Sequence, residues 1–534
     1  MKKILLPYEQ TGYFSKVVLD YLNEAPELKP FYVLPPKLSS IPFMIELKKK
    51  DPVDREVVSR ALMQQHAKLF SEKDLQAVRD NINSLKSPNT FTVSTAHQPN
   101  LFLGPLYTIY KIISTILIAQ RLNESHREYH FVPVFWMGSE DHDKEELNHI
   151  HLFGKTFVWN TAQQGAFGRM STSSLRPWVS EIKSKLGDAP AAFELSMALD
   201  DAYTKEKSIA AATRKFIYHF FADDGLVVID GDDRELKRLF APVMEKELIE
   251  QFAHRVVGRS NEKFSIHYES QVSPREINLF YLDEGLRERI VREKEDEHFK
   301  VLNTSLSFSR EEILSLLKSS PEKFSPNVIL RPLYQETVLP DVAQIGGGAE
   351  VAYWLQLKNL FDELQKPFPL IFLRNSVLWI EPTQVSRIEK LRLTPEEFFN
   401  PADEIINNYV ERQTGDLISL ETEMNRVSET FDEAMKRMMM IDASLRGVFE
   451  AEKTRTLKGM EQLEDRLRKA AKRQDETAVM QIKNLRDKLF PSNSLQERQD
   501  NFMGLYSRSG KKFIDELKSQ LDPFDGKFTV IVEE

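Results

Sequence analysis

Residues 91–160 alternate between two hydrophobic periodicities. FTVSTA (91–96) is rich in β-branched residues and ends polar, which predicts a strand. Within 104–122, Leu106, Ile109, Tyr110, Ile113, Leu117 and Ala119 recur mostly at three- and four-residue steps, which predicts a helix. YHFVPVFWMGS (129–139) predicts a second strand running into a polar loop. Strand, helix, strand implies a right-handed crossover in a parallel sheet. GLVVIDGDD (225–233) predicts a further buried strand with a helix from Glu235, and FPLIFLRNSVLWI (368–380) adds one or two more. Helical sequence fills the gaps, so the pattern describes a doubly wound α/β core interrupted by insertions near 161–218 and 240–330.

After Pro382 the texture changes. Met424, Val427, Phe431, Met435, Met438 and Leu445 follow helical spacing, with no proline from about 418 to 489. A second series, Met460, Leu463, Leu467, Ala470, Ala478, Ile482, Leu485 and Leu489, lies among dense Glu, Arg and Lys, a coiled-coil signature. Unbroken, 447–489 would reach roughly 60 Å at ~1.5 Å per residue, with Gly447 and Gly459 as candidate interruptions. An apolar stripe of that length must be covered, so the arm is expected to pair two chains, with intrachain packing as the alternative. Pro491 ends the arm, and PFDGKFTVIVEE is expected to pair back onto the core as a strand. The chain therefore divides into 1–160 (first part of the core), 161–218 (first insertion), 219–239 (core strand and turn), 240–330 (second insertion), 331–382 (last part of the core), 383–490 (arm) and 491–534 (returning segment).

Composition narrows the function. The 534 residues are 41% hydrophobic, ample for several cores, and carry a net charge of −9, which gives no general attraction for nucleic acid or an anionic membrane. The N-terminal apolar run is ILL alone, and no 18-residue uncharged stretch occurs, so a cytoplasmic protein without signal peptide or membrane span is expected. With 0 Cys there is no disulfide, thiolate nucleophile or Cys-ligated zinc.

Three stretches carry candidate chemistry. In HQPNLFLGPLY, His97 and Asn100 follow a strand and precede a helix, where open α/β sheets bind ligands; Gly104 permits close approach. Helix capping by Gln98 and Asn100 is the alternative. In WMGSEDHDKEELNHIHLF (136–153), Glu140, Asp141, His142 and Asp143 follow an apolar strand, suiting substrate binding, a base or a bound cation; a helix cap with an acidic first turn competes. His149 and His151 read as surface positions on different faces of a helix. In RPLYQETVLPDVAQIGGGAEVAYW, Gly346, Gly347 and Gly348 form a loop opening a helix, a candidate anion cradle, or else a plain hinge. Gln335 and Glu336 lie on polar ground between prolines, and Arg331 and Arg374 suit carboxylates. No GxGxxG or Walker sequence is present.

Together, HQPNLFLGPLYTIYK, VPVFWMGSEDHDKEELNH, SPREINLFYL, RPLYQETVLPDVAQIGGGAEVAYW and LQER resemble the cysteine-adding enzymes of bacillithiol biosynthesis over nearly the whole chain. The resemblance implies a ligase that joins cysteine to malyl-glucosamine. It also implies a Rossmann-like core of the class I aminoacyl-tRNA synthetase type, two connecting insertions and a coiled-coil arm that makes a homodimer. The synthetase His-X-Gly-His signature is echoed at most by His97-Gln98-Pro99-Asn100, and no Lys-Met-Ser-Lys-Ser loop is visible. Since a carboxylate needs a leaving group before an amine can attack, ATP is the expected co-substrate, with Mg²⁺ if ATP is used, and no protein metal site is assigned. Backbone N–H groups of the 100–106 turn and the 346–348 loop are expected to stabilise anionic charge. Asp141 or His142 would take the amine proton, with His97 a third catalytic candidate. Arg331 or Arg374 would hold the malyl carboxylates, with Asn100, Glu140, Asp143, Gln335 and Glu336 as further substrate contacts. Two alternatives stand beside this: a nucleotidyltransferase acting on a small carboxylate metabolite, and a non-enzymatic coiled-coil adaptor with a metabolite-sensing core.

Overall fold

A computed structural model describes residues 1–72, 75–292, 298–415 and 419–533. They form two compact units. The larger comprises Leu5–Val377 and Glu497–Thr529; the smaller comprises Met1–Ile4, Leu378–Gln496 and Val530–Glu534.

The larger unit is built on a five-stranded sheet of β1 (Thr90–His97), β2 (His130–Met137), β3 (Val227–Asp230), β4 (Asp341–Gly346) and β5 (Leu370–Leu373). Its order is β5-β4-β1-β2-β3, and every neighbouring pair is parallel. β1 and β2 stay in step from Thr90↔His130 to His97↔Met137. Strands covered on both faces read as continuous apolar runs, which is why FVPVFWM is legible in β2. Phe91 and Val93 of β1, Phe131 of β2 and Val342 and Ile345 of β4 share a core with Ile118, Ala119 and Leu122. Those last three belong to α1 (Tyr107–Ser125), the expected crossover helix. The chain order reverses between β1 and β4, so the ligand crevice of such a sheet opens at the ends of those two strands.

The segment 331–346 departs from expectation. The "polar ground" is helix α2 (Arg331–Val338), and Gly346, expected in a loop, ends strand β4. Gln335 and Glu336 are buried. Gln335 donates to Ser94 (2.9 Å) and Gln344 (2.7 Å), and Glu336 pairs with buried Lys48. Gly346 closes β4, and Gly348 opens α3 (Gly348–Glu363).

Two long connections interrupt the sheet. The one between β2 and β3 carries the short helix Lys144–Leu147, the hairpin His149–Leu152/Lys155–Val158 and three longer helices, Arg176–Leu186, Pro190–Tyr203 and Ile209–Phe221. His149 and His151 therefore sit on a strand, where i and i+2 share a face, and not on a helix. The connection between β3 and β4 holds a five-stranded antiparallel sheet that includes Leu279–Asp283 and Leu286–Arg292.

In the smaller unit, residues 530–532 lie between 2–4 and 378–380 in a three-stranded sheet. Its helices are α4 (Ala402–Thr414), α5 (Glu421–Met439), α6 (Arg446–Gln474) and α7 (Glu476–Leu489). α5 and α6 pack as an antiparallel pair: Lys453 bonds Asp432 (2.7 Å), and Glu464 accepts from the Leu420 N–H (3.2 Å). The expected single rod is broken at Asp475, whose carboxylate accepts from the Ala478 N–H (3.2 Å) and the Tyr409 hydroxyl (2.6 Å). α6 alone therefore spans about 44 Å. Gly447 and Gly459 lie within it without interrupting it. Ala478, Ile482, Leu485 and Leu489 are buried, whereas Leu463 (51%) and Leu467 (42%) stay exposed. The chain thus covers its own stripe along α7 and leaves it open over α6. No helix among the described residues is long and apolar enough to cross a membrane.

Candidate active site

The crevice is framed by His97 at the end of β1, Gly138 after β2, Gly346 at the end of β4 and Arg374 after β5. Backbone bonds from Gly138 N–H to His97 O (2.8 Å) and from Arg374 N–H to Gly346 O (2.9 Å) tie these ends together. Two charged groupings face it.

The first gathers where β1, β4 and β5 end. Lys111 of α1 is buried, donating to the Ala96 carbonyl (3.0 Å) and to Glu350 Oε2 (2.5 Å). The same Glu350 oxygen accepts from the Gly347 N–H (2.8 Å). Arg374 donates to Glu497 Oε1 (2.7 Å), the Asn375 carbonyl (2.9 Å) and Ser376 Oγ (3.1 Å). Glu497 Oε2 accepts from the Val377 N–H (2.9 Å), so LQER acts as a latch on the strand-end loop. His97 meets the Tyr107 ring edge-on at 5.2 Å, and its Nε2 is shut from solvent without a partner. Burial, then Lys111, Arg331 and Arg374, holds its pKa well below the usual value, so the imidazole is neutral.

The second grouping lies beyond β2. Asp141 accepts from Gln98 Nε2 (3.2 Å) and from the N–H groups of His142 (2.8 Å) and Asp143 (3.3 Å). Burial pushes its pKa up, but Arg287, Arg331 and these bonds more than offset that and leave it below the usual carboxylate range. His142 Nδ1 takes a bond from Arg287 Nη1 (2.7 Å), and burial followed by Arg287 lowers its pKa. The ring is then neutral with its proton on Nε2, and its lone pair is already engaged. Arg287, from the antiparallel sheet, also donates to Ser325 (3.1 Å) and stacks on Phe280 at 3.9 Å. Tyr353 and Asp141 favour the charged form of Arg331, and Gly138 leaves it room: a Cβ there would lie 3.3 Å from Arg331 Nη1. Among the described residues, neither Arg287 nor Arg331 has a carboxylate within ion-pair distance.

Several expected contacts are engaged elsewhere. Glu140 pairs with buried Lys237 (2.5 Å), and exposed Asp143 caps the helix Lys144–Leu147 by accepting from the Glu146 N–H (3.3 Å). Arg374 is held by Glu497, and Gln335 and Glu336 belong to the buried network under the sheet. Asn100 Nδ2 lies 3.5 Å from the Glu146 carbonyl. Gly104 makes a turn rather than a ligand approach: its φ is +59°, and a Cβ would fall 2.8 Å from that of Asn100. Most of the amides expected to cradle an anion in the 100–106 turn are spent. Phe102 N–H bonds the Tyr203 hydroxyl (3.1 Å), Leu103 the Asn100 carbonyl (3.1 Å), Gly104 that of Leu101 (2.9 Å), and Leu106 that of Asp500 (2.8 Å). Gly347 N–H is taken by Glu350, while the first N–H groups of α3, those of Gly348, Ala349 and Glu350, have no acceptor within the helix and open at the switch point, where a phosphate fits them. No cluster of three or more His, Asp or Glu suited to a metal occurs among the described residues.

Sequence reasoning missed Lys111, Arg287, Glu350, Tyr107 and Glu146. Lys111 alone left a signal, as a lone cation in the apolar run TIYKIISTILIA.

Residues 1–375 match the family profile described as the bacillithiol biosynthesis BshC N-terminal Rossmann-like domain, and 377–533 match the BshC C-terminal coiled-coil domain. A Flavobacterium psychrophilum protein named "Putative cysteine ligase BshC" is 40% identical, covering 98% of both chains. Its namesake from Cytophaga hutchinsonii is 41% identical over 96% of this chain and 95% of its own, and that from Salinibacter ruber 30% over 96% of both. A solved Campylobacter jejuni structure titled "putative arginyl t-RNA synthetase" aligns at 11% identity and TM-score 0.22, covering 83% of this chain and 97% of that one, too slight a likeness to argue from. A Rossmann-like domain followed by a coiled-coil domain, matched along nearly the entire length, places this chain in the bacillithiol biosynthesis BshC family.

Proposed function

We propose that the chain is a cysteine ligase that forms the amide between the carboxyl of L-cysteine and the amine of malyl-glucosamine. The observation that carries this reading is the pair of guanidiniums, Arg287 and Arg331, which share the one nearby carboxylate of Asp141 without an ion-pair contact to it. Poorly hydrated cations require counter-charge, and a substrate carrying two carboxylates supplies it. Asp141, ionised between those guanidiniums, suits the ammonium of the aminosugar. The name borne by the relatives supports the same chemistry.

The roles shift accordingly. Arg287 and Arg331 hold the malyl carboxylates, while Arg374 is structural. Asp141 anchors the amine but is a weak base, and His142 has no free lone pair. Nearby Glu146 has its pKa raised, by burial first and then by Asp141 and Asp143, so the amine proton is assigned to it. Activation of the cysteine carboxyl calls for a nucleoside triphosphate, ATP with Mg²⁺. The N–H groups that open α3 would hold its phosphates. The uncovered face of α6 is assigned to a second copy of the chain.

Mass spectrometry of the chain incubated with cysteine, malyl-glucosamine, ATP and Mg²⁺, with each omitted in turn, tests the reading. A new cysteinyl amide that disappears when either organic substrate is left out is expected; unchanged substrates in the complete mixture would refute it.

A further inference from the structure

Attack of an amine on an acyl carbon passes through a tetrahedral centre whose oxygen carries negative charge, and a preorganised donor must meet that oxygen. The N–H groups of Phe102, Leu103, Gly104 and Leu106 are engaged, as described above, and those that open α3 are left to the phosphate of the activated donor. Of the charged side chains around His97, Lys111 is committed to Ala96 and Glu350, Arg374 to Glu497, Asn375 and Ser376, and Arg331 is assigned above to a malyl carboxylate. Tyr107 differs. It opens α1, is half-buried, and its hydroxyl has no hydrogen-bond partner among the described residues. Its ring is fixed from three sides: His97 edge-on at 5.2 Å, the Arg374 guanidinium at 5.4 Å and the Lys111 ammonium at 5.8 Å. The hydroxyl thus belongs to a rigid ring flanked by two cations at the switch point of the sheet.

We infer that Tyr107 is a catalytic residue whose hydroxyl hydrogen-bonds the oxyanion formed when the aminosugar attacks the cysteinyl carbonyl. This rests on the amide-forming reading above. The amine lone pair forms the C–N bond while the carbonyl π pair moves onto oxygen, where the Tyr107 O–H meets it. Collapse re-forms the C=O bond and expels the oxygen leaving group of the activated donor, a phosphate-class anion from an acyl phosphate or acyl adenylate. The proton lost by nitrogen passes to Glu146. Tyr107 keeps its own proton throughout: burial, then Glu350, pushes its pKa to about 12, so the hydroxyl is a donor and not an acid.

A purely structural role, the ring as a platform for Arg374 and Lys111, survives in phenylalanine, so Tyr107→Phe isolates the hydroxyl. The assay follows the cysteinyl amide under saturation, with ATP and Mg²⁺ and, in parallel, with cysteine supplied as a pre-activated ester that bypasses carboxyl activation. Tyr107→Phe is expected to lower kcat about 100-fold, the range for losing one oxyanion donor, with KM within about 2-fold. Titration calorimetry with malyl-glucosamine should give the same Kd for both proteins, which establishes that the variant is folded. A kcat within about 3-fold of the unaltered chain, or a loss confined to KM, would overturn the inference. Absence of amide from the unaltered chain with both donors would instead overturn the ligase reading, and the inference with it.

Discussion

Replacing Glu497 by alanine removes the counter-ion of Arg374, and the structure sets the scale. Their side chains are 1% and 5% exposed, and the carboxylate takes both Arg374 Nη2 (2.7 Å) and the Val377 N–H (2.9 Å). Stranding a buried guanidinium costs about 3–5 kcal/mol, and an unpaired buried N–H about 1–3 kcal/mol. The two losses share one site and do not add, so the variant should lose about 4 kcal/mol. Glu497→Gln keeps an acceptor for Val377 and loses the charge, and should fall between. Urea unfolding followed by tryptophan fluorescence reads the larger unit through buried Trp136 and Trp354. Two compact units need not melt together, so each transition is fitted separately. A Glu497→Ala variant within about 1 kcal/mol of the unaltered chain would refute the reasoning. It would mean that Arg374 does not depend on Glu497, and would return it to the set of candidate carboxylate ligands.

Other consequences follow from the same geometry. Burial raises the pKa of Asp341 and brings that of Glu336 to about 7, with Lys48 beside them, so the native pair retains a proton that the unfolded chain has lost. Stability should therefore fall as pH climbs from the ordinary carboxylate range through about 7. Asp341→Asn should flatten that slope in urea midpoints taken from pH 5 to 8, and an unchanged slope would exclude the pair as its source. Leu463→Asp with Leu467→Asp places charge on the open face of α6 and should convert the dimer to monomer by light scattering; no change of mass would contradict the assignment of a second copy. Glu146→Gln should lower kcat by at least about 100-fold, whereas Asp141→Asn should mainly raise KM for the aminosugar. The reverse pattern in steady-state kinetics would exchange the two roles.

What the sequence disclosed depended on whether a residue's partner lay nearby in the chain. β1, β2 and β3 were legible as continuous runs of apolar and β-branched residues, and α1 by its repeat at three to four residues. α2 and β4 were not. Gln335, Glu336, Asp341 and Gln344 look like loop residues until Lys48 and Ser94, more than 230 positions away, satisfy them. The Glu140–Asp143 cluster was correctly noticed as a concentration of charge. Its division into an ion pair, an anchor, a bonded imidazole and a helix cap depends on Lys237 and Arg287, contributed by the second connection. Arg287 itself is unremarkable in LRERIV, an ordinary strand sequence. The arm repeats the lesson: heptad-like spacing runs through Asp475, and the break there is fixed by Tyr409.

On the proposed reading, the crevice recognises its substrate through Arg287 and Arg331, neither of which has a carboxylate within ion-pair distance among the described residues. Calorimetric titration of malyl-glucosamine into the unaltered chain and into Arg331→Ala tests it most directly. The charged bonds of one guanidinium contribute about 1.5–3 kcal/mol, so Kd should rise roughly 10- to 150-fold in the variant. Equal affinities in a folded variant would place the carboxylates elsewhere and contradict the account.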